Sequence, residues 1–271
     1  MRYLPLPVAT ADDAVVERLA KEPEWAVHRA AWLAAYASYR RHSGSPFDIQ
    51  PHAFGVGVGD RQSALYDTRK RSGELSRMRR QGGLLSCPVC GSPVTGHLDH
   101  YLPRSVYPEF SIMRANLVPA CVHCNSGVKG DTVHGERPRR FIHPYFDAWA
   151  DGTLWRISIQ QPFLAATFRP TPEPGLPADQ AEIVQFHLEH VLGDQFERSL
   201  DNLWSTYPRQ LAIRCPNADL ERVIEQVGYD LSVAIISNGV NSWQAAFFRG
   251  LSADANALTY VHDRTQTAAL P

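Results

Sequence analysis

The sequence has little of what would place it in a special class. Its 271 residues hold five cysteines, an odd number, with four of them crowded between Cys87 and Cys124, so a disulfide scaffold is excluded. No run approaches the roughly 18 apolar residues that span a bilayer. The first residues carry a short apolar stretch broken by Pro5 and Pro7, and so lack the apolar core of a secretory signal. No internal repeat is present, and neither sign of charge dominates: 27 Lys and Arg face 28 Asp and Glu, a net charge of -1. That balance argues against a uniformly basic, histone-like binder and says nothing about a local basic face. With 44% hydrophobic and 20% charged residues, the composition is globular rather than disordered. The expected compartment is a reducing cytoplasm, where paired thiols serve as metal ligands more readily than as disulfides.

The expected fold class is α+β: a mostly helical protein with a small metal-organised module embedded in it and a β-hairpin after the module. Three regions follow from the pattern, namely 1–80, 81–145 and 146–271. In the first, Val15, Leu19, Trp25, Val27, Trp32, Leu33 and Tyr36 recur at three- and four-residue spacings with Pro23 between them, which predicts two helices. A Gly- and Pro-rich connection over 42–60 precedes a basic helix expected from Ser63 toward Arg80. In the third, two β-like runs, Thr153 to Gln160 and Phe163 to Arg169, are followed by an extended link holding Pro170, Pro172, Pro174 and Pro177, then by helices over 178–207 and 218–237.

The middle region carries the chemistry. Cys87-Pro-Val-Cys90 and Cys121-Val-His-Cys124 are two CxxC pairs separated by 30 residues. Each can form a tight knuckle, and two knuckles complete a four-thiolate zinc site. Gly91 supports the first turn, since glycine tolerates the positive φ such knuckles need. A site closed by four thiolates has no open position for catalysis, so any chemistry falls to other residues. Between the knuckles lies GHLDHYLPRSVYPEFSIMRANLVPA, with Asn125 directly behind the last cysteine. On a strand ending near His100, His97 and Asp99 share a face and His100 points away; for Asp99 and His100 to act together the strand must end or bend there. NLVPA predicts the returning strand, and Val122 to Gly130 a short helix on which Asn125 and Lys129 share a face.

The strings LDHYLPRS, NLVPAC and CxxCNSGVKGD resemble the HNH endonuclease superfamily, whose catalytic module is a ββα-metal fold. The arrangement is similar to its zinc-braced, endonuclease VII-like branch, over about residues 81 to 131. The resemblance implies that Asp99 and Asn125 hold a catalytic Mg²⁺ or Mn²⁺, that His100 is the general base, and that Asn116 is the middle letter of the motif, fixing the loop or orienting His100. Oxygen donors such as a carboxylate and an amide carbonyl do favour hard cations. His97 is an accessory ligand in the family's pattern, or a histidine packed beside the zinc site. Arg104 and Lys129 are candidate phosphate grips, weighed against ordinary surface charges. His123 is expected to point away from the zinc, and Cys215 to be a small buried side chain.

The net charge divides unevenly. Residues 61–140 hold 13 Lys or Arg against 6 Asp or Glu, a balance of +7, and the remainder 14 against 22, a balance of -8. Arg69, Lys70, Arg71, Arg77, Arg79 and Arg80 lead into the first knuckle and Arg137, Arg139 and Arg140 leave the module, clusters that suit contact with a phosphate backbone. The expected function is a metal-dependent endonuclease acting on DNA, with RNA left open, in the setting of phage defence or a mobile element. The competing expectation is a zinc-stabilised module that binds nucleic acid or a protein without cutting. The helical flanks would serve a homodimer or dock another protein.

Overall fold

The computed structural model describes residues 1–69, 73–80, 82–125 and 129–267. The fold is α+β, mostly helix with two small antiparallel sheets. Helix α1 (Ala9–Leu19) is followed by α2 (Pro23–Ala26) and α3 (Arg29–Arg41). Pro23 therefore starts a helix rather than merely separating two, because proline's missing N–H costs nothing in a first turn. On α3, Trp32, Tyr36 and Tyr39 fall at spacings of four and three and are all buried. Of the basic helix expected from Ser63 to Arg80, the described residues show helix over α4 (Val58–Arg69) and α5 (Gly73–Arg79), and Lys70 and Arg71 lie outside the described residues.

Strand β1 (His97–His100) pairs antiparallel with β2 (Leu117–Ala120), His97 opposite Ala120 and His100 opposite Leu117. These are the two expected strands. Residues 122–125 begin a helical turn directly behind β2, and 126–128, where the short helix was expected to continue, are outside the described residues.

The second hairpin joins β3 (Trp155–Gln160) to β4 (Thr167–Pro172). Trp155, Ile157 and Ile159 alternate inward on β3. Pro170 and Pro172 belong to β4 rather than to an extended link; in a two-stranded sheet each strand has a free edge that tolerates a missing donor. The helix expected over 178–207 breaks at Leu192 and Gly193 into α6 (Ala178–Val191) and α7 (Asp194–Arg214). Helices α8 (Leu220–Asn238), α9 (Trp243–Ser252) and α10 (Ala255–Gln266) follow, capped by Asp219, Ser242 and Asp254. Helix α9 lies so close to β3 that a Cβ on Gly250 would meet the Ile157 carbonyl oxygen at 1.8 Å. No helix among the described residues is long and apolar enough to cross a membrane.

One hydrophobic core runs through all three expected regions, from Met1 to Val261. Polar contacts stitch the same seams. Trp32 Nε1 donates to the Glu109 carbonyl at 2.8 Å, and the buried Arg114 guanidinium binds Asp12 at 2.8 Å and the Val8 carbonyl at 2.7 Å. On the other side Trp243 Nε1 donates to the Cys90 carbonyl at 2.7 Å.

Candidate functional site

The two CxxC knuckles meet. The sulfurs of Cys87, Cys90, Cys121 and Cys124 are buried and all lie within 4.8 Å of one another. Cys87 Sγ is 4.0 Å from Cys124 Sγ and Cys90 Sγ 3.7 Å from Cys121 Sγ. A tetrahedron with zinc–sulfur bonds of about 2.3 Å has sulfurs about 3.8 Å apart, so the donor set and its spacing fit that ion. Backbone N–H groups of Cys121 and Cys124 point at Cys87 Sγ and Cys121 Sγ, at 3.3 and 3.4 Å.

Gly91 closes the first knuckle at φ +79, and a Cβ there would stand 2.3 Å from the Asn241 carbonyl oxygen. The knuckle is thus pressed onto the start of α9, and only glycine meets both conditions. His187 braces it from α6. Its Nδ1 accepts from the Ile142 N–H, so Nε2 carries the proton and donates to the Val89 carbonyl at 2.7 Å. Burial pushes His187 down to about 3 and keeps it neutral. His123, inside the second knuckle, is half-buried and lies against Gly193. Cys215 sits apart, half-buried, its Sγ 3.5 Å from Gln226 Oε1.

Beside the cluster, a cleft of about 520 Å³ is lined by His97, Asp99, His100, Arg104 and Asn125, and by Tyr66, Asp67 and Arg79 from α4 and α5. His97 and Asp99 share the cleft face of β1, while Leu98 and His100 turn inward. His100 nevertheless reaches the cleft because β1 ends with it. Its Nε2 lies 2.9 Å from the Ser111 carbonyl, which can only accept, so Nε2 is protonated and Nδ1 holds the lone pair. The rings of Tyr66 and His100 meet edge to face, their centroids 4.6 Å apart. The ordinary value near 6.5 does not apply to this imidazole: burial lowers it to about 4 and holds it neutral across the physiological range.

Lys129 differs from a phosphate grip. Its side chain is 8% exposed and Nζ is spent on Asp99 Oδ2 at 2.9 Å and on the carbonyls of His100 and Tyr101 at 2.6 and 2.9 Å. Arg104 stays on the cleft wall, stacked over Tyr66 at 5.3 Å and bonded to Asp67 at 2.8 Å and the Ser63 carbonyl at 3.1 Å. Asn116 is fully buried and does not line the cleft. Its amide holds the loop between the strands: Oδ1 accepts from the Leu102 N–H at 2.8 Å and the Tyr39 hydroxyl at 3.0 Å, and Nδ2 donates to the carbonyls of Leu102 and Phe110.

The exit cluster of arginines is paired with acidic side chains, Arg137 and Arg139 at the surface and Arg140 half-buried. Arg137 meets Asp48 at 2.9 Å, Arg139 meets Glu189 at 3.0 Å and Arg140 forms a fork with Asp147 at 2.7 Å. Of the entry cluster, Arg79 lines the cleft, its Nη2 3.4 Å from the Tyr66 hydroxyl. Tyr66, Asp67 and the Ser111 carbonyl had no signal in the sequence, because none lies within a motif and each arrives through tertiary packing.

Over 62 residues, 22% of its length, the chain is 48% identical to Protein ea31 of Escherichia phage lambda. That stretch is 21% of the phage protein, so the chain spans about a fifth of the relative it matches. No family model matches the chain, and no solved structure matches it.

Proposed function

We propose that the protein is a metal-dependent endonuclease of the HNH type that hydrolyses phosphodiester bonds of DNA, with zinc in the four-cysteine cluster as a structural ion. The observation that carries this is the convergence on one cleft of Asp99, Asn125 and a neutral His100 whose Nε2 is already committed. Asp99 and Asn125 present a carboxylate and an amide oxygen, donors that suit Mg²⁺ or Mn²⁺, and His97 stands on the same face as an accessory donor. Such a cation would offset charge on the scissile phosphate and the leaving 3′ oxygen.

The rest falls to the chain's own groups. The Ser111 carbonyl fixes the tautomer of His100, so Nδ1 takes the proton of a water attacking phosphorus in line; the bond from phosphorus to the 3′ oxygen breaks, and that oxygen takes a proton from solvent, giving a 5′-phosphate and a 3′-hydroxyl. Arg104 and Arg79 add positive charge at the cleft wall, and Asn116 acts through the loop. The phage-encoded relative supports a phage or mobile-element setting.

The test is cleavage of plasmid DNA, with RNA in parallel, in Mg²⁺ and in Mn²⁺. Cutting by the wild type, abolished in His100→Ala with zinc content and melting behaviour retained, is expected. Equal cutting by the variant sinks the role of His100. A shift of DNA without cleavage of either nucleic acid would transfer the protein to the non-cutting class of zinc-braced binding modules.

A further inference from the structure

The chain holds 24 arginines but only three lysines, Lys21, Lys70 and Lys129. Lys129 stands where arginine would not serve. An ammonium carries three N–H groups in tetrahedral array, and three acceptors converge on this one: Asp99 Oδ2, the His100 carbonyl and the Tyr101 carbonyl, at 2.9, 2.6 and 2.9 Å. A guanidinium, planar and forked, cannot donate to three acceptors gathered about one point. The rings of Tyr101 and Phe141 flank the Nζ at 5.7 and 5.4 Å. All three hydrogens are spent inside the protein, so a substrate phosphate would have to displace one of these bonds to reach Nζ.

The three acceptors belong to the three consecutive residues at which β1 ends. Asp99 and His100 leave opposite faces of a strand, yet both line one cleft at the point where the strand ends and the chain bends, at Tyr101 and Leu102. We infer that Lys129 is a positioning residue that pins this turn. It holds the carbonyls of His100 and Tyr101 on one side of the backbone and ties one oxygen of Asp99, so that the other is the oxygen offered to a cation. The inference rests on the endonuclease reading for its consequence, but the clamp itself can be observed without any activity.

Two measurements test it. Acetylation of the native full-length protein, read by peptide mass spectrometry, should modify the exposed Lys21 and spare Lys129, and Asp99→Ala should make Lys129 reactive. Labelling of Lys129 as fast as Lys21 in the wild type would overturn the clamp, whatever the protein cuts. In the cleavage assay, Lys129→Met should lower kcat about 100-fold, the scale of a misplaced catalytic group, with KM for DNA and DNA affinity in the absence of divalent ions unchanged. Loss of affinity with kcat intact would make Lys129 a phosphate contact and refute the inference, as would wild-type kinetics. Should Lys129→Met fail to fold, Lys129→Arg, which keeps the charge but not the three-way geometry, is expected to show the same fall in kcat. If the wild type cuts nothing while Lys129 is still protected through Asp99, the endonuclease reading fails and the clamp stands.

Discussion

The amide of Asn116 joins segments far apart in the chain: α3 through Tyr39, the loop behind β1 through Leu102, and the turn at Phe110. His143 extends the network, its Nδ1 accepting from the Tyr145 N–H and its Nε2 donating to the Tyr39 hydroxyl at 2.9 Å. Asn116→Ala leaves the Leu102 N–H and carbonyl buried without their partner, at a cost of about 3 kcal/mol. Guanidinium unfolding should show that loss, and a change within about 0.5 kcal/mol would mean that the network closes without the amide. Residue chemistry was well marked in the sequence for cysteine, since two CxxC pairs have few uses. It was poorly marked for cations: the type of Lys129 and Arg104 was visible, but their partners lie 30 to 40 positions away, and a partner decides whether a charge faces substrate or serves the fold.

The four-cysteine cluster ties β1, β2 and the turn behind them to α9 through Gly91 and to α6 through His187. With zinc in it, as proposed, chelation removes the cross-link that holds both knuckles, and metal binding energy is then lost as folding energy. Extraction of the ion should lower the melting temperature, and Cys121→Ser should do the same without chelator; a protein indifferent to both would hold no structural ion there. Gly91→Ala tests the docking separately. The added methyl must push back the Asn241 carbonyl from 2.3 Å, so a lower melting temperature with zinc content unchanged is expected. Both hairpins were legible as elements, because alternation and turn residues are local signals. The break between α6 and α7 was not, since the apolar spacing runs on to Leu192 and only the extended backbone at Leu192 shows where the helix stops.

Across the whole molecule, cations of 61–140 reach acids of the flanks that carry the opposite sign: Arg61 pairs with Glu24, Arg114 with Asp12, Arg137 with Asp48 and Arg139 with Glu189. Besides His100, two buried histidines give this packing a pH dependence. His187 is lowered to about 3 and His143 well below 6.5, each chiefly by burial, with Arg140 and Lys129 near His143 and the terminal amine, Lys129 and His190 near His187. The unfolded chain protonates both near 6.5 while the folded one does not, so their contribution to stability is constant above that pH and falls as pH drops toward the folded values. Each histidine contributes up to about 1.4 kcal/mol per pH unit. Denaturant midpoints between pH 7 and pH 4 should decline on that account, and His187→Gln should flatten the decline. The sequence by itself determined the α+β class, the thiol cluster, the strands that carry His97, Asp99 and His100, and the imbalance of charge, because each is written in spacings of a few residues. Tertiary structure alone decided that the three regions share one core, that α4 and α5 wall the cleft, that the exit arginines are paired and that Lys129 is a buried clamp. Those outcomes depend on which distant groups meet once water is excluded, and burial then sets both the partner and the protonation of every polar group enclosed.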